Sequence, residues 1–178
     1  MYGDQVERYL SLLKEYNEHT NIYSKKAYDK LDFHVKDSCV LAGLIGNKSC
    51  RVLDIGSGSG FPSVIIAICN PKNKVRAVES KSRKTRFLEQ VKIDLCLDNF
   101  EVVQANIVEY GRCDVPKADV ITAKAFASLE RVKHVSKPLR KARHCIWIPI
   151  HYDQFDEIED TKTCRIEKDG FYYLKREG

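Results

Sequence analysis

The chain has no apolar run approaching the ~20 residues of a membrane span, and no N-terminal apolar stretch resembling a secretory signal. A cytoplasmic protein with no membrane partner is therefore expected. Cysteine is present but unpaired in pattern. Cys39, Cys50, Cys69, Cys96, Cys113, Cys145 and Cys164 are odd in number, and none forms a CxxC pair. That scatter argues against a zinc site, and no metal is expected. Several of these thiols lie in apolar runs, where they act as small hydrophobes, as in a reducing compartment. There is no internal repeat or low-complexity tract. The formal net charge of +5 at pH 7 is a modest excess that favours an acidic partner.

What is present reads as one domain over residues 1–178, with a helical extension over 1–46 and an α/β core over 51–178. Val6, Tyr9, Leu10, Leu13 and Tyr16 recur at helical spacing over 4–18. A second helix is expected over 27–45, with Leu31, Val35, Cys39 and Ala42 inward and Gly46 as its stop. From Arg51 the period changes. Strands are expected at 51–55, 74–78, 100–104, 118–123 and 145–150, with helices at 62–70, 82–95 and 129–139 between them. Trp147 sits among apolar residues and reads as core. Two alternating stretches flank Asp169-Gly170, a pair that supplies the positive φ angles of a tight hairpin. The expectation is a mixed, mostly parallel, doubly wound sheet with a terminal antiparallel hairpin, preceded by helices.

Three of the nine glycines fall within VLDIGSGSGFPS, directly after the first strand. Glycine lets the backbone approach a ligand that a Cβ would hold away. No GK[ST] follows, which excludes a nucleoside triphosphate loop, and Gly60 stands one place early for the dinucleotide pattern GxGxxG. Asp54 precedes the loop; its charge repels a pyrophosphate and attracts a ligand carrying an ammonium and a sulfonium. Glu79 ends the second strand, about 20 residues on, where an acid accepts hydrogen bonds from ribose hydroxyls. Asp54, Gly56, Gly58, Gly60 and Glu79 together point to S-adenosylmethionine, with S-adenosylhomocysteine as product, and to a Rossmann-like class I methyltransferase fold.

Five further pieces stand in register. Tyr16-Asn17 with Asn21-Ile22, HVKDS (34–38), VLDIGSGSGFP, KSRKTRFLEQV (81–91) and AFASL (125–129) resemble the glucose-inhibited division protein B family, which methylates guanine N7 in 16S ribosomal RNA. The resemblance implies cofactor contacts at Gly56, Phe61 and Glu79, and at Ile107 and Val108, whose backbone would lie beside the adenine. It also implies 16S ribosomal RNA or the small ribosomal subunit as partner, and a monomer is expected. The sequence departs from the family at Asn106 and Lys124, where arginine is usual, at Ser63 in place of glycine, and at WIPIHY (147–152), which lacks a lysine-glycine pair. Asn106 and Lys124 are still taken as cofactor contacts, and Lys124 as the candidate catalytic residue.

Guanine N7 carries a lone pair and no proton, so no general base is required, and no His/Asp or Cys/His pair suggests one. His34 and Asp37, three apart, share a helix face; either they line the substrate pocket or His34 bonds Asp37 and fixes the helix. Arg83, Arg131 and Arg140 are candidate RNA contacts within two basic clusters, Lys81–Arg86 and Arg131–Arg143, which otherwise are solvated faces; the second, denser cluster is favoured for RNA. Two other readings stay open at this point. One is a family member that binds RNA or cofactor as a ribosome-assembly factor without efficient catalysis. The other is a small-molecule methyltransferase or nicotinamide enzyme.

Overall fold

The computed structural model describes residues 2–152 and 163–178. Strands β1 (Arg51–Ile55), β2 (Lys74–Glu79), β3 (Phe100–Gln104), β4 (Ala118–Thr122), β5 (Arg140–Ile150), β6 (Thr163–Lys168) and β7 (Phe171–Glu177) form one sheet in the order β3-β2-β1-β4-β5-β7-β6. Pairings among β1 to β5 are parallel, and β7 is antiparallel to both of its neighbours. The expected mixed sheet is thus observed. Its strand order reverses between β1 and β4, the place where such sheets open a crevice at their carboxyl ends.

Helices α1 (Tyr2–His19), α2 (Leu31–Ile45), α3 (Ser63–Cys69) and α4 (Ser82–Asp94) supply Tyr9, Leu13, Leu41, Ile65, Ile66, Phe87 and Leu88 to a core on one face of the sheet. Helices α5 (Ile107–Tyr110) and α6 (Leu129–Ser136) supply Ile107, Val132 and Val135 to a second core on the other. Alternation of strand and helix forces this layering, because a parallel strand buried on both faces must be covered twice.

Several elements differ from expectation, each for a local reason. The second helix begins at Leu31; Lys25–Lys30 is a 3₁₀ turn kinked at Ala27. Its inward face carries Leu31, Asp37, Ser38, Leu41, Ala42 and Ile45, whereas Cys39 is exposed. Helix α6 stops at Ser136 and yields to a 3₁₀ turn containing Pro138, which has no N–H to continue the ladder. Strand β5 starts at Arg140 and not at Cys145; its first five residues are mostly polar and hide the strand from an apolar pattern. Helix α5 was not expected: four residues are too few for a periodic signal, and Asn106 caps it by accepting from the Val108 N–H at 2.9 Å.

The hydroxyl of Tyr9 donates to the carbonyl of Ser59 at 2.7 Å across 50 residues of sequence. Tyr9 is fully buried. Tyr9→Phe leaves that carbonyl without its partner, and a loss of about 1–3 kcal/mol is expected in chemical denaturation.

Candidate functional site

The segments after β1, β2, β3 and β4 converge at the carboxyl end of the sheet. Gly56, Gly58 and Gly60 all adopt positive φ, at 70°, 60° and 109°. Their roles differ. A Cβ on Gly60 would meet Val64 Cγ2 at 2.6 Å and the Tyr9 hydroxyl at 3.0 Å, so this glycine serves packing of the loop onto α1 and α3. A Cβ on Gly58 would meet nothing closer than 3.8 Å, where Gly56 O and Lys84 Nζ lie. A Cβ on Gly56 would strike Phe126 Cδ2 at 2.6 Å. The aromatic ring of the AFASL segment therefore lies on the first glycine, and Ala125 before it holds a φ of 50°, costly for a residue with a Cβ.

The loop's N–H groups are turned inward more than the sequence suggested. Those of Gly56 and Ser57 donate to the Val78 carbonyl at 2.9 and 3.2 Å, and that of Gly58 donates to Glu79 Oε2 at 3.0 Å. Glu79 Oε1 accepts from the Lys81 N–H at 2.9 Å and the Ser80 hydroxyl at 3.3 Å. Glu79 is only 7% exposed, so three donors fix a carboxylate that retains acceptor capacity for hydroxyls of a ligand.

Asp54 is fully buried. Its Oδ1 accepts from the Thr122 hydroxyl at 2.7 Å, while Oδ2 has no hydrogen-bond partner. Burial raises its pKa, and the bond from the Thr122 hydroxyl opposes that shift; the Ser57 hydroxyl is engaged by the Asp54 main-chain carbonyl at 3.1 Å. A carboxylate with one orphaned oxygen beside a positive-φ glycine loop fits a cationic ligand, and with Glu79 it fits a ribose-bearing one.

The remaining expected residues divide. Phe61 is buried in an aromatic group, with ring centroids 5.3 Å from Tyr9, 5.7 Å from His34 and 6.4 Å from Tyr23. Ile107 is buried and Val108 is 40% exposed at the start of α5, on the far side of Glu79 from the glycine loop in strand order. Asn106 uses its side-chain oxygen on its own helix. Lys124 donates to Asp37 Oδ2 at 2.5 Å, with side chains only 14% and 6% exposed. Asp37 thus pairs with Lys124 and not with His34, whose Nδ1 is buried without a partner. Burial first, and then the Lys124 charge, lowers the pKa of His34.

The basic clusters change rank. Lys81, Arg83 and Lys84 line a groove of about 640 Å³ with Asn17, Tyr23, Lys25 and Lys26, beside the glycine loop. Arg140 opens β5 opposite Ala118, at the end of the sheet away from that loop, and Lys141 is bound there to Asp119. Arg131 is exposed in the first turn of α6. The denser cluster favoured by sequence is therefore largely drawn away from the site, because a strand's two ends are indistinguishable in composition. Tyr9, Phe126 and Thr122 join the candidate site, though none of the three is a candidate site residue by sequence; Phe126 stands within AFASL and Thr122 ends the fourth strand, whereas only its helical spacing marks Tyr9. Among the described residues, no three His, Cys, Asp or Glu side chains gather as a metal site, and no helix is long and apolar enough to cross a membrane.

The strand order, the antiparallel β7, the glycine loop after β1 and the acid closing β2 define a class I S-adenosylmethionine-dependent methyltransferase fold. Solved structures agree. A SAM-dependent methyltransferase from Aquifex aeolicus superposes with a TM-score of 0.59 at 16% identity, over 79% of this chain and 88% of that one. Precorrin-6y C5,15-methyltransferase from Geobacter metallireducens gives 0.58 at 14%, over 89% and 91%.

Within that class the chain belongs to the rRNA small subunit methyltransferase G (GidB) family, whose model matches residues 3–170. Relatives named ribosomal RNA small subunit methyltransferase G include one from Fusobacterium nucleatum, 35% identical over 159 residues, which are 88% of this chain and 67% of the relative. One from Pseudomonas entomophila is 35% identical over 136 residues, 76% of this chain and 62% of the relative. The match thus spans about two thirds or less of the length of these curated relatives.

Proposed function

We propose that this chain transfers a methyl group from S-adenosylmethionine to N7 of a guanine in 16S ribosomal RNA. The observation that carries this reading is the convergence, at one end of the sheet, of the orphaned Asp54 oxygen, the Glu79 carboxylate and the glycine loop, all beside a cationic groove. Glu79 would accept the ribose hydroxyls, Asp54 would face the cationic end of the cofactor across Gly56 and Gly58, and the backbone of Ile107 and Val108 would flank the adenine. When bound, S-adenosylmethionine supplies an electrophilic methyl group.

The chain's own task is alignment. N7 attacks without losing a proton, so no residue need act as a base; acceleration comes from holding N7 in line in a water-poor pocket. Lys25, Lys26, Lys81, Arg83 and Lys84 provide a phosphate track, and among the described residues Glu18 is the one acid lining that groove, already paired with Lys25 at 3.0 Å. Each of these contacts adds to a salt-dependent affinity, which suits a long polyanion better than a small substrate. The family assignment supports ribosomal RNA over a small molecule.

Two measurements test this together. Calorimetry is expected to give saturable S-adenosylmethionine binding, and small subunits or 16S RNA lacking the modification are expected to take up labelled methyl at guanine N7. Glu79→Gln is expected to weaken cofactor binding by roughly 10- to 100-fold, the loss of hydrogen bonds to a charged acceptor. Cofactor binding without label transfer to either RNA form would instead favour an assembly factor that does not catalyse.

A further inference from the structure

A second cavity, of about 490 Å³, opens between α2, the ends of β4 and β5, and the turn joining β6 to β7. That volume lies in the range that nucleotide-sized ligands fill. Four phenylalanine and tyrosine rings stand in its wall, with the imidazoles of His34 and His151 beside them. Phe33 and Phe171 have centroids 5.2 Å apart with planes tilted by 53°; Tyr152 and Tyr172 lie 5.3 Å apart at 61°. Phe33 is 51% exposed, a large apolar ring that the fold itself does not bury. Beneath the rings lies the Asp37–Lys124 pair, and the hydroxyl of Tyr173 donates to the Asp37 carbonyl at 2.8 Å, which fixes that residue. The cavity therefore combines an aromatic rim with a floor holding one strong acceptor group and one strong donor group.

We propose that this cavity receives the target base turned out of the RNA, and that Asp37 and Lys124 select guanine by its Watson–Crick edge. The proposal rests on the methyltransferase reading above. That edge of guanine presents two donors, N1–H and the 2-amino group, beside one acceptor, O6. A carboxylate accepts from both donors and an ammonium donates to O6, so the pair is complementary to guanine as it stands. Adenine places a bare acceptor at N1, which a carboxylate repels. A base held by this edge keeps N7 uncovered, and its faces are free to stack on Phe33 and Phe171, the usual means by which an extruded base is held. Ala125 lines the cavity and the next ring, Phe126, rests on Gly56, so this cavity and the glycine loop share a wall. An in-line transfer between two ligands requires that adjacency.

The test is a titration of the protein, saturated with S-adenosylhomocysteine, with guanosine, inosine and adenosine 5′-monophosphates, followed by NMR. Inosine lacks only the 2-amino group. Guanosine monophosphate is expected to bind roughly tenfold tighter than the inosine form, the discrimination of one good paired contact, and adenosine monophosphate weakest. In Asp37→Asn the guanosine-to-inosine ratio is expected to fall to near one. Phe33→Ala, a change at an exposed position, is expected to weaken all three nucleotides alike and leave the ratio intact. Equal binding of the three nucleotides to the unaltered protein overturns the proposal. So does an unchanged ratio in folded Asp37→Asn, or unchanged affinities in Phe33→Ala. If Asp37→Asn does not fold by circular dichroism, the nucleotide series and Phe33→Ala decide. Discrimination as expected, with no methyl transfer to RNA, overturns the methyltransferase reading and not the pocket; transfer without discrimination does the reverse.

Discussion

Lys124→Met is expected to cost about 3–5 kcal/mol of stability and to lower Tm by on the order of 10 °C in thermal denaturation at pH 7. The reason is what the substitution leaves behind. Asp37 is 6% exposed at its side chain and has Lys124 as its cationic partner, so removal of the ammonium strands a charge away from water. The double variant Asp37→Leu/Lys124→Met removes both charges and is expected to regain most of the lost stability, because an apolar pair of similar volume carries no desolvation cost. Methyl transfer is expected to stay lost in both. Recovery of stability without recovery of activity separates the pair's effect on folding from its place in the site. Stability unchanged in the single variant would mean that the pair is more solvated than its 2.5 Å geometry implies.

Gly60→Ala is the second large effect, and its contrast with Gly58→Ala carries the argument. At Gly60 a new methyl group meets Val64, the Tyr9 hydroxyl and Leu88 Cδ2 within 3.1 Å, on a backbone with φ of 109°. Overpacking and backbone strain each cost about 1–3 kcal/mol, so a loss of roughly 3 kcal/mol or more is expected, visible as a fall in denaturation midpoint. At Gly58 the same methyl has open space, and only the left-handed conformation opposes it, at about 1 kcal/mol. Gly58→Ala is expected to fold nearly as well and to bind S-adenosylmethionine more weakly. Equal destabilisation by the two would refute the division of the loop into a packing glycine and an open one.

Much of the architecture was legible because burial on both faces makes parallel strands run apolar. Val52, Leu53 and Ile55 of β1 and Val120 and Ile121 of β4 are such apolar positions, and Asp169-Gly170 marks the hairpin by chemistry alone. The meeting of the glycine loop with Glu79 was legible for a related reason: both sit at fixed offsets along a single strand–helix–strand unit. What escaped notice depends on distance in sequence. Lys124 meets Asp37 across 87 residues, Tyr9 meets Ser59 across 50, and Thr122 meets Asp54 across 68. No periodicity encodes such pairs. Apolar patterning also misassigned the inward face of α2, because Asp37 and Ser38 are buried polar residues and Cys39, apolar by composition, faces outward. The placement of the basic residues was hidden because a run of charge along β5 does not say which end of the sheet it reaches.

The bond from the Tyr9 hydroxyl to Ser59 has a thermodynamic corollary. The glycine loop owes part of its shape to a helix packed behind it, so the energy of docking α1 and the energy of binding at the loop are coupled, and the coupling is reciprocal. A ligand that holds the loop also holds the helix. A change on the outer surface of α1 that loosens its seat is then felt as altered affinity at the loop, so that the far side of this helix is a place from which ligand binding can be tuned.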